Sequence, residues 1–174
     1  YGVKICFGAS QRAKTVANAL KLVDEDIDFI AVHDAVRCCL KKDWIDEVFC
    51  AAEKTGAALL ACPVTDTLKK VDNGKIVQTV DRTGLYRAQT PQVFKADLLK
   101  KAYKTNTDLG ADISDDCQLI ETLGKNIEIT VVETDESNIK ITTKADIAMA
   151  EAVIKSRPKP GTKGPIGPYS EAQW

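Results

Sequence analysis

The sequence holds one histidine, His33, and none of its six cysteines forms a Cys-x-x-Cys pair. Zinc needs a tight cluster of Cys, His or carboxylate ligands, and that cluster is missing. Cys6, Cys50, Cys62 and Cys117 stand in apolar stretches, where cysteine behaves as a small hydrophobe, and Cys38 and Cys39 follow a loop motif. Thiols without a pairing pattern suit a reducing cytoplasm. No apolar run reaches the ~20 residues of a membrane-spanning helix. Charges nearly cancel to a net −1, so no basic footprint points to nucleic acid. No signal-peptide pattern is visible at Tyr1-Gly2-Val3-Lys4-Ile5, and there is no initiator Met. The chain is therefore read as part of a longer protein.

What is present is an ordinary globular composition, 44% apolar and 28% charged over 174 residues, enough for one domain with a core. Val3 to Phe7 reads as a short strand. Ser10 is a candidate cap for a helix with Val16, Leu20 and Val23 on one side. Asp28 to His33 reads as a central strand buried on both faces. Asp43 is a candidate cap for a helix through about Lys54, with Trp44, Val48 and Ala51 near one face, and the apolar strand Ala57 to Val64 follows. Leu68 to Val80 differs. Asn73-Gly74 marks a tight hairpin, and its flanks, Lys69, Lys70, Lys75 and Gln78, are too polar to enter a core. It is expected to project as an arm, spanning about residues 67–82 with its roots. Lys95 to Tyr103 and Ser114 to Leu123 read as helices, Ile127 to Val132 as a strand. Thr143-x-x-Asp146 opens a last helix in a capping-box pattern. Strands alternating with helices predict an α/β domain, a mainly parallel sheet with helices on both faces, over residues 1–155. The Pro/Gly-rich stretch 156–174 reads as an extended tail.

In such sheets ligands bind beyond the C-terminal strand ends. Asp34 stands there, after Ala31-Val32-His33. A carboxylate at that place suits magnesium, a hard cation that shares oxygen ligands with phosphates. It equally suits capping of the next turn. Arg37, three residues on, can fork onto a phosphate or clamp Asp34. His33 is read as structural. Thr65-Asp66-Thr67 with Lys69 and Lys70 combine hydroxyls with ammonium groups, the makings of a phosphate site; a solvated hairpin root explains them as well. Asp81 to Gln92 is rich in polar groups for no reason composition reveals. Ser114-Asp115-Asp116 is a normal helix start. Lys140 is either a phosphate-neutralising cation or a surface lysine.

Taken in order, Val32-His33-Asp34-Ala35-Val36-Arg37, Pro63-Val64-Thr65-Asp66-Thr67-Leu68-Lys69, Asp81-Arg82 with Leu85-Tyr86-x-Ala88-Gln89-Thr90-Pro91-Gln92, and Asn138-Ile139-Lys140-Ile141-Thr142 resemble the 2-C-methyl-D-erythritol 4-phosphate cytidylyltransferase family over roughly residues 1–154. The resemblance implies a Rossmann-like nucleotidyltransferase fold. It also implies transfer of CMP from CTP to 2-C-methyl-D-erythritol 4-phosphate with release of pyrophosphate, a step of non-mevalonate isoprenoid synthesis. Magnesium is the implied cofactor, and a homodimer joined by the hairpin arm the implied assembly.

By the same resemblance Asp34 binds the metal and helps place CTP, with Arg37 beside it. Gly8, Ala9, Ser10 and Thr15 hold the cytidine. Thr67 and Arg82 hold the sugar phosphate across the dimer, Thr90 and Ser114 offer substrate-side hydroxyls, and Lys140 lies at the reacting phosphates. There are departures: Gly8-Ala9 replaces two glycines, Thr15 a serine, Ser114 a threonine, and Cys38 a proline. The family's opening strand and Gly-rich phosphate loop fall before Tyr1, so the chain alone is expected not to catalyse. Two alternatives stand beside this reading. One is a ribitol 5-phosphate cytidylyltransferase, which shares Asp34 to Arg37 and Ile139 to Thr142. The other is a non-catalytic dimerisation module, which an upstream coding sequence without an Ala/Gly-rich loop would indicate.

Overall fold

A computed structural model describes residues 2–106, 113–124 and 126–157. The predicted tail lies outside them apart from Ser156 and Arg157, and so does part of the approach to Ser114. The elements run α1 (Arg12–Leu20), β1 (Phe29–Val32), α2 (Lys42–Thr55), β2 (Ala57–Pro63), β3 (Leu68–Asp72), β4 (Lys75–Val80), β5 (Tyr86–Lys95), α3 (Ala96–Thr105), α4 (Asp116–Glu121), β6 (Thr130–Glu133) and α5 (Lys144–Ser156).

Four strands form the main sheet in the order β1-β5-β2-β6. β2 and β6 are parallel, and β5 lies antiparallel between β1 and β2. Three strands therefore share one direction and β5 alone opposes them. β2 is buried almost throughout, because alternate residues enter cores on opposite faces. Ala57 and Leu59 join Phe94, Leu99 and Ile120 beneath α1, α3 and α4. Ala58 and Leu60 join Val93, Trp44, Val48 and Ala52 of α2. Helices on both faces follow from this apolar run, which a one-sided sheet would expose. Burying each large side chain contributes roughly 1.5–3 kcal/mol.

Trp44, Val48 and Ala52 recur every fourth residue, so one stripe of α2 meets the sheet. The helix stops at Gly56, whose φ of 92° is the left-handed cap conformation; its N–H bonds the Ala52 carbonyl at 2.8 Å. Asn73 and Gly74 take φ of 47° and 76°, turning β3 into β4. Among the described residues these two strands pair only with each other, as a separate ribbon.

Four expectations are corrected. Val3 to Phe7 forms no strand: its side chains at 3, 5 and 7 are almost fully exposed, and no described strand pairs with it. A strand without a ladder partner leaves its backbone groups to water. β1 is an edge strand of the described sheet, half-buried instead of buried on both faces. Helix starts shift: Gln11, not Ser10, precedes α1; Lys41, not Asp43, precedes α2, with Asp43 inside its first turn; and α4 starts at Asp116, where Asp115 caps it by accepting the Gln118 N–H at 2.9 Å. Among the cysteines, loop-borne Cys39 is buried and helical Cys50 is exposed, the reverse of their local sequence character. All six are free thiols.

Candidate functional site

The C-terminal ends of β1, β2 and β6 and the start of β5 converge on one side of the sheet. Just past β1, Asp34 is held by its backbone: its N–H donates to Thr90 Oγ1 on β5 at 2.9 Å. Thr90 Oγ1 also lies 3.1 Å from His33 Nδ1, and His33 Nε2 lies 3.2 Å from the Arg37 carbonyl. A carbonyl only accepts, so Nε2 carries the proton and Nδ1 accepts from Thr90. His33 is thus a brace between β5 and the turn. The Thr90 hydroxyl accepts from Asp34 and donates to His33, so within the chain it positions the carboxylate while one lone pair remains.

Two cations meet the Asp34 carboxylate. Lys140 Nζ lies 3.0 Å from Oδ2 and Arg37 Nε 3.4 Å from the same atom. Partial burial of Asp34 pushes its pKa up, but the Lys140 hydrogen bond and charge, with Arg37 and Arg12 behind, outweigh burial and leave it below the usual carboxylate range. Asp34 is therefore ionised at neutral pH. Arg37 Nη1 donates to the Asn138 carbonyl at 2.7 Å. The Asn138 side chain is fully buried; its Nδ2 donates to Gln89 Oε1 at 2.8 Å and to the Thr90 carbonyl at 3.1 Å. Gln89 Oε1 also accepts from Thr134 at 2.9 Å. The Ile141 N–H to the Val36 carbonyl, 3.0 Å, ties the Lys140 segment to the Asp34 turn.

A cavity of about 240 Å³ opens here, bounded by Asp34, Arg37, Thr90, Ser114, Lys140 and Arg12. Five of the residues singled out in the sequence, Asp34, Arg37, Thr90, Ser114 and Lys140, are thus brought together. Gly8, Ala9, Ser10 and Thr15 are not at its wall. They form the loop at the base of α1, where the Ala9 N–H donates to Thr15 Oγ1 at 2.9 Å. Thr67 and Arg82 are also apart, exposed at the two roots of the arm, where Arg82 donates to the Thr65 carbonyl. Lys69 bonds Thr79 across the ribbon at 2.7 Å, so it serves the hairpin.

Sequence reasoning missed Arg12, Gln89, Gln92, Asp116 and Asn138. The unexplained polar run before Gln92 is β5 itself, whose Gln89, Thr90 and Gln92 are buried and bonded. Its signal was polar side chains interleaved with a strand-forming pattern. Asp116 was read as an ordinary helix-start acid, yet it is fully buried and accepts from Arg12 and Tyr103, each at 2.5 Å.

An α/β sheet with a carboxylate and several cations gathered beyond its parallel strand ends has the place and the charge of a site for an anionic ligand. The family model of 2-C-methyl-D-erythritol 4-phosphate cytidylyltransferase matches residues 2–156. A protein of that name from Endomicrobium trichonymphae is 47% identical over 150 residues, covering 86% of this chain and 67% of its own. Its counterpart in Bacillus velezensis is 36% identical over 154 residues, covering 88% and 66%. Among solved structures, the 4-diphosphocytidyl-2C-methyl-D-erythritol synthase of Anaerococcus prevotii superposes with a TM-score of 0.77 at 30% identity, covering 86% of this chain and 69% of that one. The Thermus thermophilus cytidylyltransferase gives 0.77 at 32%, covering 85% and 71%. The chain belongs to the 2-C-methyl-D-erythritol 4-phosphate cytidylyltransferase family. It spans about two thirds of the length of these relatives.

Proposed function

We propose that the full-length protein transfers CMP from CTP to 2-C-methyl-D-erythritol 4-phosphate, giving 4-diphosphocytidyl-2-C-methyl-D-erythritol and pyrophosphate for isoprenoid synthesis. The observation that carries this reading is the Asp34–Lys140–Arg37 cluster at the cavity, in a chain of this family. A phosphate oxygen of the sugar attacks the α-phosphorus of CTP. The bond from that phosphorus to the bridging oxygen breaks, and pyrophosphate leaves. Lys140 offsets the charge that builds on the non-bridging oxygens, and Arg37 holds a phosphate or keeps Asp34 ionised. Ser114 offers a hydroxyl to the sugar side, and the Gly8–Ser10 loop with Thr15 receives the cytidine.

Magnesium is the cofactor of this reading. No group of three or more His, Cys, Asp or Glu residues suited to a metal occurs among the described residues. That fits magnesium shared with substrate phosphates, which takes only one or two carboxylates from protein. Asp34 is the residue to hold it, since only its Oδ2 is engaged by Lys140 and Arg37. When bound, magnesium withdraws negative charge from the phosphates of CTP. The names of the relatives favour methylerythritol phosphate over ribitol 5-phosphate.

The active protein in this reading is a cytoplasmic homodimer. Among the described residues the β3–β4 ribbon has no strand partner, and Val71, Ile76 and Val77 are more than half exposed on it. A lone two-stranded ribbon is marginal in water, and a second copy covers such a face in a two-fold arrangement. Thr67 and Arg82, remote from their own cavity, then reach the partner's sugar phosphate.

The test uses the full-length protein with CTP, magnesium and each sugar phosphate in parallel. Pyrophosphate release with methylerythritol phosphate and not with ribitol phosphate is expected; no release with either rejects the reading. Asp34→Asn is expected to abolish turnover, and so is Arg82→Ala. When the two inactive proteins are mixed and exchange subunits, part of the activity should return. Exchange without recovery shows that the site is not shared.

A further inference from the structure

The buried carboxylate of Asp116 has no place in the chemistry above. It is fully buried, yet it is bonded on every side. Arg12 Nη2 and Tyr103 Oη donate to its two oxygens at 2.5 Å each. Gln92 Oε1 accepts the Asp116 and Cys117 N–H groups at 3.1 and 3.3 Å, and Gln92 Nε2 donates to Asp115 at 2.9 Å. A charge taken so far out of water is retained only when its partners are fixed.

What those partners join is informative. Arg12 opens α1, one turn from the Gly8–Ser10 loop, which Thr15 fastens to the same helix. Asp116 opens α4, two residues after Ser114, whose N–H and hydroxyl donate to Gln118 Oε1 at 2.8 and 3.1 Å. Arg12, Ser114 and Asp115 all border the Asp34 cavity. The second guanidinium nitrogen of Arg12, Nη1, is buried with no partner among the described residues, so the Asp116 contact is what anchors this side chain.

We propose that Arg12 and Asp116 are positioning residues that couple the nucleotide loop to the sugar-phosphate loop. Their ion pair fixes the separation of α1 and α4, so that occupation of the Gly8–Ser10 loop orders Ser114 for the second substrate. The inference rests on the proposed function for the identity of the two ligands, but the coupling itself does not require turnover.

The experiment uses the full-length protein with Asp116→Asn and Arg12→Lys. Asn keeps the shape and one acceptor, and Arg12, being partly exposed, is left able to reach water, so this variant tests coupling without stranding a buried charge. In the wild type, CTP should slow hydrogen exchange at the amides of residues 116–118, which do not line the Asp34 cavity. In Asp116→Asn that protection should be lost while CTP still slows exchange at residues 8–15. With turnover measured well below each melting temperature, KM for the sugar phosphate should rise about tenfold in Asp116→Asn. Arg12→Lys, which restores the charge, should recover most of the wild-type KM. The double variant should be no worse than the worse single one, as expected for residues acting as one pair. Absence of the transmitted protection in the wild type overturns the inference. So does its survival in Asp116→Asn, whatever that variant's melting temperature. Failure of the wild type to release pyrophosphate instead rejects the functional reading, and the exchange measurement still decides the coupling.

Discussion

The wall of the Asp34 cavity and the β3–β4 arm are both polar in sequence, but they solve the polarity differently. In the wall, Gln89, Thr90, Gln92 and Asn138 are buried and bonded to one another and to the backbone. Apart from Asn138 Oδ1, which is buried with no partner among the described residues, the chain satisfies their side chains, and this holds the geometry around Asp34. In the arm, polar side chains face water, and the apolar Val71, Ile76 and Val77 are more than half exposed among the described residues. A wall that is complete within one subunit and an arm that is not teach where each kind of substitution should act. Wall changes should alter catalysis or folding, and arm changes should alter association.

The largest effect is expected at the charge that the wall presents. Lys140 sits 3.0 Å from Asp34 Oδ2 and is nearly half exposed, so its removal costs the fold little. Lys140→Ala in the full-length protein is expected to lower kcat by ~10²–10³, the usual loss when a preorganised donor at a developing charge is deleted. Melting should be almost unchanged. A loss below about tenfold would make Lys140 a surface lysine, and the wall would no longer be distinguished from the arm by its chemistry.

Next comes the network behind the charge. Asn138→Ala takes the side-chain donor from the buried Thr90 carbonyl and leaves Gln89 Oε1 with Thr134 alone. Buried groups left without partners cost about 1–3 kcal/mol each, so stability measured by urea titration should fall by at least that much. An equal change on the arm, Gln78→Ala, should stay within about 0.5 kcal/mol because water replaces whatever is lost. Similar losses at the two places would erase the comparison.

A smaller effect belongs to the end of the wall. The Asp146 carboxylate accepts the Thr142 and Thr143 N–H groups at 2.8 and 2.7 Å, locking the turn between Lys140 and α5. These backbone bonds lower its pKa to about 2. Its unfolded value is ~3.9, so the folded state holds fewer protons between the two values. The contribution is fully present above about pH 4 and is lost as pH falls through about 2. Stability of the wild type should therefore drop over that window more steeply than that of Asp146→Asn. Parallel acid titrations by circular dichroism check it; identical slopes would mean the bonds do not persist in solution.

How much of this was legible in the sequence follows the same division. The arm was legible because its information is local: Asn73-Gly74 dictates the turn and flanking lysines dictate exposure. The strand Ala57–Pro63 was legible because an unbroken apolar run has few other fates. The capping role of Asp146 was legible from its spacing to Thr143. The wall was not. Nothing local says that Gln92 meets Asp115 or that Arg12 meets Asp116, 104 residues away. Those contacts exist only because β5 threads backwards between β1 and β2, a non-local pairing that alternation of strands and helices does not encode. The same insertion makes β1 an edge of the described sheet. Asp34, Arg37 and Lys140 were recovered as a set through the ordered family motifs, not through spacing.

The smallest effect on a single subunit, and the sharpest on the assembly, is expected from the arm. Val71 stands opposite Ile76 in the ribbon, and the two are 56% and 68% exposed. Changing Ile76 to Lys removes apolar surface that a lone subunit never buries, so stability of the separated subunit should move by no more than about 0.5 kcal/mol. In the proposed dimer the ribbon is covered by the partner, and a lysine added there would lose its hydration. Sedimentation of the full-length protein should then shift from dimer to monomer. Turnover should fall with it, because Thr67 and Arg82 lose their place at the partner's sugar phosphate. Raising protein concentration should restore both together, which distinguishes weakened association from a damaged site. If Ile76→Lys sediments as the wild type does, the ribbon is a solvated appendage and Arg82 must act, if at all, within its own subunit.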